Sequence, residues 1–424
     1  MTESLSVILN GQIAGEVLRQ KGGKLQFDYA DKYRRQPGAT PLSLSMPIQI
    51  QSHPDSAIVP WLWGLLPEND MILTTWAREF QVSASSPFSL LSTPIGLDCA
   101  GAVQFITSDR LDDVLNRSAK ITWLSDDNIC DRLRSLRQDS TTWLGSTFTG
   151  QFSLAGAQAK TALIFKNKRW GVPSGSIPTT HILKPAVTEF KDHDLNEHLC
   201  LDAARRANLL AVRTRIAHFG TESAVVVDRY DRQFKGAEIL RIHQEDLCQA
   251  LGVSPLKKYQ SEGGPSPSDI TKLFRDVMST NDADKEALRF GDSLIWNWII
   301  AGTDAHAKNY SLLLSGNQVR LAPFYDVSSA LPYGKHEKKL RLAMKIGGDY
   351  AVFTSRNTWI KASKELGVDT DLLVARVVEL AGLAPDAFAD AASEPQIASL
   401  NRELPTKLVD LIAERAKRCL KVVS

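Results

Sequence analysis

The hydrophobic periodicity of this chain changes past its middle, and that change restricts the fold to a mixed one. From Thr147 to Val227 apolar residues come in short, strand-length runs. Thr161-Ala162-Leu163-Ile164-Phe165 and Arg169-Trp170-Gly171-Val172 flank an Asn167-Lys168 turn, and His181-Ile182-Leu183-Lys184 is stopped by Pro185. A helix is predicted from Asp194 to Asn208, and Ala224-Val225-Val226-Val227 has the unbroken apolarity of a strand buried on both faces. Beyond about residue 240 the spacing becomes helical. Leu288, Ile295, Trp298, Ile299 and Gly302 mark one face of a core helix from Glu286 to Gly302, with Trp296 and Trp298 as packing residues. Lys257 to Asp269, with Gly263-Gly264-Pro265 and Pro267, reads as a loop. Upstream, Asn10-Gly11 predicts a hairpin within residues 5–30, Pro67 to Phe80 a helix, and residues 108–140 a polar helical linker.

A chain of 424 residues exceeds a single core. The expected division is 1–108, a small β-rich subdomain; 109–240, a strand-rich lobe; and 241–424, a helical lobe. A net charge of +2 gives the bulk surface no electrostatic case for nucleic acid or membrane. The basic run Lys335-His336-Glu337-Lys338-Lys339-Leu340-Arg341 reads as a solvated loop, with a phosphate-contacting patch as its alternative. Cys99, Cys130, Cys200, Cys248 and Cys419 are scattered without a Cys-x-x-Cys pair, against a disulfide framework or zinc site and in favour of a reducing compartment. Met1-Thr2-Glu3-Ser4 does not open a signal peptide, and no apolar run is long enough to span a bilayer, so the expectation is a cytoplasmic protein without a membrane partner.

Chemistry-bearing residues concentrate in Gly302-Thr303-Asp304-Ala305-His306-Ala307-Lys308-Asn309 and Pro323-Phe324-Tyr325-Asp326-Val327. An Asp, an Asn five positions on and a second Asp shortly after match the protein-kinase order of parts: a base for the substrate hydroxyl, then two magnesium ligands. Asn309 and Asp326 offer the hard oxygens that Mg²⁺ takes, and Lys308 is a further candidate for meeting a phosphate. The histidines His306, His193 and His198 lack the spacing of a zinc site, and no G-x-S-x-G elbow supports a hydrolase.

The upstream parts follow in kinase order. Ser153-Leu154-Ala155-Gly156-Ala157-Gln158-Ala159-Lys160-Thr161 ends like a Walker A loop, but Leu154 and Ala159 occupy its glycine positions. A small-residue turn between two strands suits instead a flap with backbone N–H groups facing nucleotide phosphates; an ordinary hairpin turn is the alternative. Lys184, ending a strand, stands where a phosphate-contacting lysine belongs, with Glu197 on the next helix as its candidate ion-pair partner. Asp228, Arg229 and Tyr230, at a strand exit, are the candidate adenine-binding hinge, with a plain salt-bridged strand end as the alternative.

The 153–161, 302–309 and 324–326 segments together resemble the HipA family of serine/threonine-kinase toxins from bacterial type II toxin–antitoxin systems. Pro41-Leu42-Ser43-Leu44-Ser45, Leu65-Leu66-Pro67-Glu68, Gln244-Glu245-Asp246-Leu247-Cys248, and Tyr259 with Gly263-Gly264-Pro265 add to the resemblance. It implies an α+β, two-lobed protein-kinase-like fold with an extra N-terminal β-rich subdomain and a helical C-terminal lobe, and ATP with Mg²⁺ as cofactors. It also implies Asp304 as catalytic base, Asn309 and Asp326 as metal ligands, and inhibitory autophosphorylation at Ser153. Leu154, Ala155, Gly156, Ala157, Gln158, Ala159, Lys160, Lys184, Asp228, Arg229, Tyr230, His306, Lys308 and Tyr325 would line the nucleotide. The implied partners are a helix-turn-helix, HipB-like antitoxin, operator DNA through that antitoxin, and a translation-related protein substrate such as an aminoacyl-tRNA synthetase. A small-molecule kinase and a corepressor with little catalysis stand as alternatives. The segment between Lys184 and Glu197 is short for the family pattern, Asp228 replaces the usual Glu, and no glycine follows Asp326-Val327.

Overall fold

The computed structural model describes residues 3–111, 119–145, 150–186, 190–236, 238–334 and 339–423. Residues 335–338 of the basic run lie outside that set. The chain forms two compact units, one of 1–185, 217–255 and 312–319, the other of 186–216, 256–311 and 320–424. Strands dominate the first and helices the second, so the α+β reading holds.

In the first unit, an antiparallel sheet runs Ser52–His53, Leu25–Tyr29, Gln12–Arg19, Glu3–Leu9, Val103–Ile106. The predicted hairpin is there: Asn10 and Gly11 take φ of +52° and +77°, the paired positive φ that a tight primed turn demands. Helices Asp55–Gly64 and Asp70–Glu79 bury Ile58, Trp61, Leu62, Ile72 and Trp76 in the same core as Val7, Leu9 and Phe27. Asn69 caps the second helix by accepting from the Met71 N–H at 2.9 Å.

A second sheet, of six strands among the described residues, places the apolar Glu222–Asp228 strand between Thr214–Phe219 and His181–Pro185. Ala224 to Val226 are fully buried, as an interior strand requires. Thr161–Lys166, Arg169–Gly175 and Ala119–Trp123 complete the order. The last of these corrects the helical linker expected over 108–140. Ile121 and Trp123 are half-buried and Thr122 exposed, a two-residue alternation that fits a sheet edge beside Arg169–Gly175. Among the described residues of that stretch, helix is confined to a short 3-10 turn at Ser108–Arg110, Leu111 and the Asp126–Gln138 helix, which a Ser125/Asn128 capping box opens.

The second unit is built around the Thr280–Ile300 helix, which starts earlier than the apolar spacing indicated because Ser279 caps it. Trp296 stacks on Phe388 at 5.9 Å and Trp298 meets Trp359 edge-on at 5.1 Å, so both tryptophans pack in the core as expected. Helices Arg356–Leu366, Thr370–Ser393 and Glu403–Val423 supply the rest of that core. No described helix is long and apolar enough to cross a membrane.

Candidate active site

The end of the Thr280–Ile300 helix determines where the Asp304 loop begins. Ala301 takes φ +51°, and the Gly302 N–H donates to the Asn297 carbonyl at 2.7 Å. A Cβ at position 302 would lie 2.3 Å from Asn297 Oδ1, so only glycine allows this close turn. The buried Arg415 reaches the last carbonyls of the helix: Nε donates to Ile299 at 2.9 Å and Nη2 to Trp298 at 2.6 Å.

The loop then closes on itself. The His306 N–H and the Asn309 Nδ2 both donate to the Asp304 carbonyl, at 2.9 and 2.7 Å, and the Asn309 N–H donates to the His306 carbonyl at 2.9 Å. Asp304 and Asn309 are thereby brought together, with the amide nitrogen of Asn309 committed inward and its carbonyl oxygen left as the atom able to meet a cation. The Asp304 side chain is exposed and accepts the Tyr259 hydroxyl at 2.5 Å. His306 and Lys308 are buried. The Tyr325 hydroxyl donates to the Lys308 carbonyl at 2.7 Å and lies 2.7 Å from Ser311 Oγ, tying the end of this loop to the residue before Asp326.

Asp326 is half-buried and takes φ +57°, a left-handed conformation uncommon outside glycine that Asp can adopt and its surroundings hold. Those surroundings are visible on both sides. Upstream, the Phe324 N–H donates to Leu210 and the Val212 N–H to Phe324, each at 2.8 Å. Downstream, Asn196 brackets Ser329: Nδ2 donates to its carbonyl at 2.8 Å, and Oδ1 accepts its N–H at 3.0 Å. Ser329 Oγ donates to the Ile300 carbonyl at 2.6 Å, so the Asp326 and Asp304 segments are fastened to one helix end. Asn196 was not singled out in the sequence; a polar residue among Leu195, Leu199 and Cys200 on one buried helix was the available signal. Glu197, next to it, is buried in the same helix of the second unit, whereas Lys184 is buried in a strand of the first.

In the first unit the 150–160 segment corrects one expectation. Among the described residues that flank it, Thr161–Lys166 on the downstream side is a strand, while the segment itself is held by isolated bridges, Ser153 to Cys99 and Gly156 to Pro67. It is an anchored loop rather than a hairpin turn, because its short polar and small residues carry no alternating apolar face to extend a ladder. Ser153 is fully buried, its hydroxyl donating to the Leu65 carbonyl at 2.8 Å and its N–H to the Asp98 carbonyl at 3.0 Å. The Leu65-Leu66-Pro67-Glu68 motif is thus the seat of this loop. Gly156 takes φ +101°, open to glycine alone, and Lys160 Nζ folds back to the Ala155 carbonyl at 3.2 Å while lying 4.1 Å above the Trp143 ring. Leu154 and Ala159 are buried, Ala155 half-buried and Ala157 exposed. Gln158 Nε2 is buried and meets no acceptor among the described residues.

At the strand exit, Asp228 Oδ1 lies 3.2 Å from His181 Nε2, Tyr230 donates its hydroxyl to Gln244, and the Arg229 N–H donates to the Thr180 carbonyl at 3.0 Å. The Arg229 guanidinium belongs to a buried ion cluster. It pairs with Asp231 at 2.7 Å and Asp98 at 3.3 Å, and Arg232 pairs with Asp98 at 2.9 Å and Asp231 at 3.0 Å. Burial alone would raise both carboxyls, but the guanidiniums of Arg229 and Arg232 outweigh it, holding Asp98 low and Asp231 at about 2. The Gln244-Glu245-Asp246 motif has a similarly structural task. Glu245 accepts from Ser43 Oγ at 2.5 Å, the Leu44 N–H at 2.8 Å and Trp61 Nε1 at 3.1 Å, so it joins the Pro41–Ser45 motif to the Asp55–Gly64 helix.

Comparison with known proteins places these observations. The HipA N-terminal domain profile matches residues 5–106 and the HipA-like C-terminal domain profile residues 152–388. Y4mE of Sinorhizobium fredii, a kinase by inference, is 31% identical over 418 residues, 97% of either chain. The serine/threonine-protein kinase toxin HipA of Shewanella oneidensis is 29% identical over 390 residues, 87% of this chain and 86% of its own. The S. oneidensis HipA structure solved with HipB and operator DNA superposes with a TM-score of 0.83 at 25% identity, covering 99% of this chain and 98% of that one. With both family profiles matched and a relative aligned along nearly its whole length, the chain belongs to the HipA family.

Proposed function

We propose that this protein is an ATP-dependent serine/threonine protein kinase acting as the toxin of a type II toxin–antitoxin module. The observation that carries the reading is the closed loop in which Asn309 bonds the Asp304 carbonyl while the Asp304 carboxylate stays exposed. Asp304 accepts the proton of the substrate hydroxyl as that oxygen bonds to the γ-phosphorus and the bond to the leaving ADP breaks. Asn309 Oδ1 and the Asp326 carboxylate would hold magnesium, which would supply neutralising charge beside the phosphates. The orphaned donor of Gln158 fits a phosphate acceptor, in a loop whose small residues let backbone N–H groups approach. Lys184 serves as the phosphate lysine, the Asp228–Tyr230 backbone as the adenine contact, and Glu197 as a candidate partner of Lys184.

Ser153 is the regulatory acceptor in this reading. A phosphate on its buried hydroxyl adds nearly two charges where the Leu65 carbonyl now accepts, so the phosphorylated flap cannot reseat. The S. oneidensis HipA assembly with HipB and operator DNA supports a helix-turn-helix antitoxin as partner here, with DNA engaged through it. The substrate is a translation-related protein, an aminoacyl-tRNA synthetase being the leading class. The test is transfer of label from γ-labelled ATP with Mg²⁺ to the protein and to antitoxin-free cell extract. Label on Ser153 and on an extract protein is expected. No transfer in either sinks the proposal, and preferential labelling of aminoglycosides or sugars replaces it with a small-molecule kinase.

A further inference from the structure

The Tyr259 hydroxyl is the one side-chain donor given to the Asp304 carboxylate among the described residues, and the segment that carries it is built to hold it there. The Glu262 and Gly264 N–H groups return to the Tyr259 carbonyl at 3.0 and 2.9 Å, winding residues 259–264 into a tight turn. A Cβ at position 264 would lie 2.3 Å from the Lys257 carbonyl and 2.7 Å from that of Tyr259, so this winding requires glycine. The turn is fastened to the Asp304 loop by two further contacts. The Ala307 N–H donates to the Lys258 carbonyl at 3.2 Å, and the Tyr259 ring meets the His306 ring edge-on at 4.9 Å. Asp304 itself is otherwise exposed, and an exposed aspartate samples several rotamers.

We infer that Tyr259 is a positioning residue for Asp304: by donating to Oδ1 it holds the carboxylate in one rotamer and presents Oδ2 to the substrate hydroxyl. The inference rests on reading Asp304 as the base. A preset carboxylate removes rotamer search from the transfer step and leaves nucleotide binding untouched, because Tyr259 acts on the base alone. The competing arrangement, in which the phenol plugs the position of the substrate hydroxyl, predicts the opposite sign on removal.

The experiment is self-labelling with γ-labelled ATP and Mg²⁺ by wild type, Tyr259→Phe and Asp304→Ala, with the maximal rate and the half-saturating ATP concentration measured separately. Tyr259→Phe is expected to lower the maximal rate about tenfold, the size of one lost hydrogen bond to a charged group, with half-saturation unchanged. Incorporation of 3-fluorotyrosine at 259, which keeps the hydroxyl, is expected to restore the rate. A Tyr259→Phe rate equal to or above wild type overturns the inference, as does a rate loss that 3-fluorotyrosine fails to restore. If Asp304→Ala transfers phosphate as wild type does, or wild type transfers none, the base reading itself fails and this inference with it.

Discussion

Asn309 turns its amide nitrogen into the carbonyl of Asp304, five residues earlier in the same loop, at 2.7 Å. One side chain therefore both shapes the loop and offers its remaining oxygen outward. Asn309→Asp replaces that donor by an acceptor facing a carbonyl. The loop loosens even though a metal-binding oxygen is retained. The expected result is a phosphotransfer rate lower by about tenfold to a hundredfold, the range set by a lost bond plus an unsatisfied carbonyl. A magnesium titration of transfer by the variant, compared with Asn309→Ala, checks it; wild-type rates in Asn309→Asp would show that the closure is dispensable.

Asp304→Ala tests the proposed base. Its side chain is exposed, so the melting temperature should stay within about 1–2 °C of wild type, as for other surface substitutions. Transfer should fall by about 10²–10⁴-fold, the usual contribution of a positioned proton acceptor. Labelling and melting measured on the same preparation decide between loss of chemistry and loss of fold.

The 150–160 loop is held through Ser153, and if it is the proposed nucleotide flap, substitutions there should act on nucleotide affinity. Ser153→Ala removes a buried hydrogen bond worth about 1 kcal/mol and abolishes label at that position. Ser153→Asp sets a carboxylate against the Leu65 carbonyl, so ATP affinity should drop well below that of Ser153→Ala. Calorimetric titration of both variants with a non-hydrolysable ATP analogue reads the difference, and equal affinities would argue against a flap that must seat.

The buried cluster of Asp98, Asp231, Arg229 and Arg232 should be intolerant of single changes. Arg232→Met takes one guanidinium from two buried carboxylates, which are then left to share Arg229, and is expected to cost about 3–5 kcal/mol, seen as a lowered denaturation midpoint. Adding Asp98→Leu should recover part of that loss, because one of the two buried carboxylates sharing Arg229 is then removed; a strictly additive double variant would contradict the coupling.

His243 gives the fold an acid limb. Burial depresses its imidazole to about 4 from an ordinary 6.5, with Nε2 sharing a hydrogen bond with the Leu42 carbonyl at 2.9 Å. The unfolded chain therefore takes up this proton first, and the stability held above pH 6.5 is lost as pH falls through about 4. Glu245 runs the other way: burial raises it to about 7, so its contribution is complete below its ordinary 4.5 and lost as pH rises through 7. His243→Gln keeps a donor toward Leu42 and should flatten the acid side of a melting-temperature profile between pH 4 and 6.5 while leaving the Glu245 side in place.

The parts of this structure that follow local rules were legible in the sequence. Asn10-Gly11 made its hairpin because both residues tolerate positive φ, and Ala224 to Val227 made an interior strand because no residue in it tolerates water. The closeness of Asp304 and Asn309 could be read because five positions within one loop bring them together. What escaped depended on contacts distant in sequence. The Ala119–Trp123 strand exists because an edge was available to pair with, and the 150–160 segment is an anchored loop because Pro67 and Cys99 hold it. Tyr259 was marked only by family resemblance; its bond to Asp304 spans 45 positions, which no local pattern encodes.

Arg415 sits near the end of the chain, yet it grips the carbonyls from which the Asp304 loop departs. Distal helices are commonly regarded as expendable, and here burial argues the reverse. A premature stop between codons 389 and 415 would leave every residue of the two matched family domains encoded and still release the helix end beneath the loop. Late frameshifts are therefore a short mutational route to an inert protein, and an intact reading frame through the last helix is a sensible requirement when relatives are sorted into working and decayed copies.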